Sequence, residues 1–255
     1  MVLFVLDGAG DATQRRDAVA AYIVSVNTTQ QTLILELERI SLAYRELRLG
    51  EKADPKQLAR VEEAEQTMRR LRSRLTALQA PVEARKLRRL ILELVDLQTE
   101  LAAEVAGMAR YIPRQATENR KLAAATATLR DELATATTGA TQREAFEAYR
   151  AALLASVRRL VDTPAPAVLE PARAGEVKRL VRLAALAGGL GKALQDQAAE
   201  DVDRLFPRFV QTSTATGTTR AQRDAVIAFN GRLKAIGKQR QALAAERTRL
   251  DLALR

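Results

Sequence analysis

Asp196, Glu200 and Asp203 stand at i, i+4 and i+7. On one helix face that spacing gathers three carboxylates, the oxygen ligands that a hard cation such as Ca²⁺ or Mg²⁺ takes. A solvated acidic face is the simpler reading of the same pattern. Glu93, Asp96, Glu100 and Glu104 repeat it opposite an apolar stripe and read the same way. Gly188-Gly-Leu-Gly-Lys192-Ala193 resembles a phosphate-binding loop only superficially. It lacks the first glycine of that motif, has Ala193 in place of the Mg²⁺-binding hydroxyl, and follows no strand. Close helix packing, or a weak point in the helix, is the better account of its glycines. Asn27-Thr28-Thr29 matches a glycosylation acceptor, but in mid-helix.

The absences narrow the chemistry further. The 255 residues include no His, no Cys and no Trp. That removes thiolate metal sites, disulfides, thiol nucleophiles and the commonest general base and metal ligand. Carboxylate, Lys, Ser/Thr and Tyr chemistry remains, and no constellation of these residues stands out. The sequence therefore implies no cofactor, no metal and no enzyme activity.

Charge is the feature that leans toward a function. Lys and Arg number 41 against 31 Asp and Glu, a net +10. The excess is uneven: residues 1–54 hold six basic and eight acidic groups, residues 217–255 nine and three. Two dense clusters flank Pro81. One is Arg69, Arg70, Arg72 and Arg74; the other is Arg85, Lys86, Arg88 and Arg89. Such groups bind anionic lipid headgroups at about 1 kcal/mol each near the surface, or the phosphates of nucleic acid. Nucleic-acid readers usually interleave aromatic or groove-entering residues. Aromatics here are only 4% of the chain and lie apart from both clusters, so lipid is favoured. The plainer alternative is a solvated helix face with i,i+4 partners. The arginine excess over lysine, 33 to 8, reads as genome composition bias.

The elements that must position these groups are helices. Ala, Leu, Arg, Glu and Gln dominate, and these are strong helix formers. Ile23, Val26, Gln30, Leu33, Leu37, Ile40, Tyr44 and Leu47 step by three and four, a heptad seam predicting a helix over 11–49, capped by Asp11 or Thr13. Gly50–Pro55 breaks it, with Asp54 as cap. Val61, Ala64, Met68, Leu71, Leu75 and Leu78 predict a second helix, antiparallel to the first.

A third helix starts at Pro81 and ends before Pro113; a polar one follows over 114–136. Phe146–Leu160 and 171–206 carry the next two. Gln211–Thr219 reads as a loop, and the last helix carries Val226 to Leu254, its far end poorly buried because Arg240 and Arg247 interrupt the seam. The fold class is all-α: an elongated antiparallel bundle of six or seven helices with a coiled-coil hairpin.

Short matches recur in the same order. Arg16-Asp-Ala-Val-Ala-Ala-Tyr22 returns as Arg143–Tyr149 and Arg223–Phe229, and Arg110-Tyr-Ile-Pro-Arg114 as Arg204-Leu-Phe-Pro-Arg208. They suggest an internal duplication, with the aromatic residue of each copy as a core anchor. The chain divides as an apolar segment and linker (1–11), a first helical repeat (12–140) and a second repeat with the basic last helix (141–255), packed as one domain.

Met1-Val-Leu-Phe-Val-Leu6 is too short to span a bilayer, which takes about 20 apolar residues. Followed by Asp7-Gly-Ala-Gly-Asp11, it resembles the exit of a membrane helix into a linker. The expectation is a membrane-associated, non-enzymatic interaction module whose anchor lies upstream. Its partner would be an anionic membrane surface or another protein, with a homo-oligomer allowed. The alternative is a cytoplasmic basic bundle that binds nucleic acid.

Overall fold

The computed structural model describes residues 4–48, 55–215 and 218–254. Among these it is an all-α helical bundle: α1 (Phe4–Arg48), α2 (Pro55–Ala77), a 3-10 turn (Val82–Ala84), α3 (Arg85–Thr135), α4 (Gly139–Asp162), α5 (Glu170–Gln195), α6 (Ala199–Thr214) and α7 (Thr218–Ala253). The chain forms two compact units, residues 1–106 with 227–255, and residues 107–226. These bounds differ from the stretches drawn in the sequence at 11 and 140.

Unit 1 contains α1, α2, the first part of α3 and most of α7. The seam of α1 is buried at Ile23, Val26, Leu33, Ile40, Tyr44 and Leu47, while Gln30 and Leu37 are half-buried. Opposite it, α2 buries Val61, Ala64, Met68 and Leu75. From α7 come Phe229, Ile236, Leu243 and Leu250, each seven residues after the last. The Phe229 ring stacks on Tyr44 with centroids 3.5 Å apart.

The seam of α7 therefore stays buried as far as Leu250, contrary to the sequence reading. Of the two arginines that interrupt the seam, Arg247 finds a partner, as do polar residues beside the seam. Arg232 approaches Glu104 at 2.9 Å, Gln239 donates to the Leu90 carbonyl at 3.0 Å, and Arg247 donates to Asn27 at 3.0 Å. A buried polar group that is paired does not open the seam.

Unit 2 is built on α4, α5 and α6 with the second part of α3. Phe146, Tyr149, Leu153 and Leu160 of α4 meet Leu180, Leu183, Ala187 and Leu190 of α5, with Leu129 of α3. Phe209 of α6 sits edge-on to Phe146 and Tyr149, at 5.8 and 6.1 Å. Thr138 caps α4 reciprocally with Thr141. The glycines at 188–191 serve close packing, as read from the sequence. A Cβ on Gly191 would lie 3.1 Å from Phe146 Cβ, and one on Gly189 3.2 Å from Leu205 Cδ1. Tyr22, Tyr149 and Phe229, the aromatics of the recurring segment, are all buried core residues.

Several boundaries differ from expectation. Helix α1 runs back to Phe4, so Asp11 and Thr13 lie inside it rather than capping it, and 7–11 is helical rather than a linker. Gly8 and Gly10 cost a helix about 1 kcal/mol each without ending it. Pro113 lies within α3 and Pro207 within α6. Each proline forfeits one backbone bond, which the packed turns on either side tolerate.

The helix drawn over 171–206 breaks instead at Asp196–Ala198, where Gln197 takes a positive φ of 53°. Of the expected 211–219 loop, 211–214 ends α6 and 218–219 opens α7. The expected cap Asp54 lies outside the described residues.

Candidate functional site

The turn after α2 brings the two basic clusters together. Three cross-helix bonds fix the register at this end of unit 1. Arg72 of α2 bonds Asp96 of α3 at 2.5 Å. Arg88 donates to the Thr76 carbonyl at 2.7 Å, and Lys86 pairs with Glu246 of α7 at 2.8 Å. Both pairings with α3 run antiparallel, so the last turns of α2 and α7 lie at the same end. Helix α1 also packs on the 3-10 turn. Tyr22 lies within electrostatic reach of Arg88: burial pushes its hydroxyl pKa up, and the guanidinium partly opposes this.

The eight predicted residues fall into two groups. Arg69 is paired with Glu65, Arg72 with Asp96 and Lys86 with Glu246. Arg88 is half-buried and tied to backbone, and Arg89 stands 4.0 Å from Glu93. Arg70, Arg74 and Arg85 are exposed, and among the described residues no acidic group pairs with them. The free charge is therefore narrower than the sequence suggested. A groove lined by Arg72, Arg85, Arg88, Arg89, Glu93 and Asp96 runs beside the turn, mixed in sign.

Sequence reasoning missed the apolar members of this end. Val82 is 66% exposed at the tip of the turn, and Leu78 is 39% exposed just before it. Leu252 of α7 is 62% exposed in the last turn of that helix. The available signal was Val82 itself, an aliphatic residue outside any heptad directly after Pro81.

The acidic sets behave differently from their sequence reading. Asp196 caps the end of α5 while Glu200 and Asp203 belong to α6, so the three do not share a helix face. Glu93, Asp96, Glu100 and Glu104 are not simply solvated. Asp96 binds α2, Glu93 accepts from Gln239, and Glu100 and Glu104 lie 3.8 and 2.9 Å from Arg232. Burial raises the pKa of Glu104; the Arg232 charge lowers it and Glu100 raises it further. Glu246 shows the reverse balance. Hydrogen bonds from Arg249 hold its carboxyl at about 2 against the burial that opposes them, with Lys86 adding to the effect. Among the described residues, no group of three or more acidic, His or Cys side chains is placed to hold a metal ion. None of the described helices is long and apolar enough to cross a membrane.

No protein family model, curated protein or solved structure shows significant similarity to this chain. What the fold defines is a class, the all-α helical bundle.

Proposed function

We propose that this protein is a structural interaction module that docks on an anionic membrane surface through the end of unit 1 bearing the 78–84 turn. One observation carries the reading. Exposed Leu78 follows Arg70 and Arg74 at four-residue steps along α2, exposed Val82 and Arg85 lie in the turn after it, and among the described residues no acidic group pairs with these three arginines. A lipid interface accepts both at once, taking the aliphatic groups into the headgroup boundary and the cations against the phosphates. Nucleic acid offers the phosphates but no comparable place for a bare valine tip.

The expected strength is modest. Three arginines contribute about 3 kcal/mol, and burying the exposed parts of two aliphatic side chains adds roughly 2 kcal/mol. The total matches a single reversible lipid anchor, about 10⁴ M⁻¹. Stable attachment takes a second determinant.

Sedimentation with vesicles tests the reading. The chain should pellet with vesicles containing phosphatidylserine and not with neutral phosphatidylcholine. Replacing Arg70, Arg74 and Arg85 by Gln should weaken binding on the order of a hundredfold with helicity unchanged. Retention of DNA or RNA with steep salt dependence, without vesicle binding, would overturn it in favour of a nucleic-acid module.

A further inference from the structure

Helix α1 carries a second heptad seam apart from the one in the unit 1 core. From Asp17 to Arg45 a set of positions steps by four and three, and every one is exposed. Its large apolar members are Val24, Leu35 and Leu42, exposed by 64, 58 and 46%. Thr28, between them, turns its hydroxyl to the Val24 carbonyl at 3.1 Å, which leaves it compatible with an apolar seam. A strip about 42 Å long results. Paired with another helix of that length it covers on the order of 1,000 Å² in total, the lower bound for a specific interface.

The charges on this strip select the partner and its direction. Asp17, Glu38 and Arg45 have no ion-pair partner among the described residues. A parallel copy in register would set Asp17 against Asp17, Glu38 against Glu38 and Arg45 against Arg45, three like-charge contacts. An antiparallel copy, with its two-fold axis near Leu33, removes all three. Val24 then faces Leu42 of the other copy, and Gln31 faces Leu35. Glu38 faces Thr28, and Arg45 meets Ala21 one turn from Asp17 of opposite charge. The contact is self-complementary, as a two-fold interface requires.

We infer that a second copy of this chain docks antiparallel along the exposed face of α1. The inference goes beyond membrane docking and does not depend on it. Its geometric consequence is that the basic ends of the two copies point in opposite directions along the paired helices.

The chain has no cysteine, so single thiols can be placed cleanly. Val24→Cys and Leu42→Cys chains are prepared separately and treated with a short bis-maleimide, alone and mixed. The mixture should give covalent dimer in at least tenfold higher yield than either variant alone. In the antiparallel pair, like positions lie about 27 Å apart along the axis, beyond the linker. The native chain should sediment at twice 28.0 kDa. The Leu35→Asp, Leu42→Asp double variant should sediment as a monomer of unchanged helicity. Cross-linking at least as efficient within either single-variant sample, or a native chain that stays monomeric at its highest soluble concentration, would refute the inference.

Discussion

Glu246 offers the sharpest test of how α7 is held in unit 1. Its carboxylate is 2% exposed and accepts from Arg249 at 2.6 and 3.0 Å and from Lys86 at 2.8 Å. These bonds hold its pKa at about 2, against an unfolded value near 4.3. The difference sets a ceiling of about 3 kcal/mol at neutral pH. Lys86 and Arg249 are themselves more than half exposed, and water screens both, so about 1–2 kcal/mol is expected.

Glu246→Gln removes the charge while keeping the shape. Because the folded pKa is depressed, the native contribution is complete above the unfolded value and is lost as pH falls through the folded one. In urea unfolding followed by circular dichroism, Glu246→Gln should be less stable than the native chain by about 1–2 kcal/mol at pH 7. The gap should narrow below about pH 4 and close near pH 2. A stability difference that is the same at pH 7 and pH 2 would mean that packing, not charge, fixes this contact.

Glu104 predicts the opposite sign. Its pKa is raised by burial, so its ionised form weakens the native state at neutral pH. Glu104→Gln should raise the unfolding midpoint at pH 7, and the gain should fade as pH drops toward the unfolded carboxylate value near 4.3; a lowered midpoint at pH 7 would contradict this. The glycines separate packing from propensity. Gly237 has open space where a Cβ would sit, so Gly237→Ala should stabilise by about 0.5–1 kcal/mol. A Cβ on Gly139 would sit 2.5 Å from the Leu194 carbonyl oxygen. Gly139→Ala should therefore destabilise by roughly 1–3 kcal/mol, read from thermal melts of the two variants side by side.

The bundle was legible because burial in a helix pair leaves a period in the sequence. Ile23, Val26, Leu33 and Ile40 announce their seam regardless of what covers it. Cross-helix partners leave no such trace. Arg247 interrupts the α7 seam when the chain is read alone, yet Asn27, 220 residues away, receives its hydrogen bond. Glu104 looks like one member of a solvated acidic face until Arg232 of α7 is set against it. Pro113 reads as a stop because proline costs a helix bond, and nothing local reveals that packing carries α3 past it.

For the candidate site, the sequence named eight cations around Pro81, and among the described residues only Arg70, Arg74 and Arg85 lack a partner. Which of the cations are free depends on Glu65, Asp96 and Glu246. Of these only Glu65 stands near its partner in the sequence.

The tip of the turn tests membrane docking most directly. A Val82→Cys chain carrying a polarity-sensitive fluorophore places the probe on the residue proposed to enter the headgroup layer. A second chain labelled at Gly231→Cys, near the opposite end of α7 within unit 1, serves as control. With phosphatidylserine vesicles, the Val82 probe should shift to shorter wavelength and gain intensity, and the Gly231 probe should not respond. Binding to vesicles without any change at Val82, or equal changes at both sites, would contradict docking through this end.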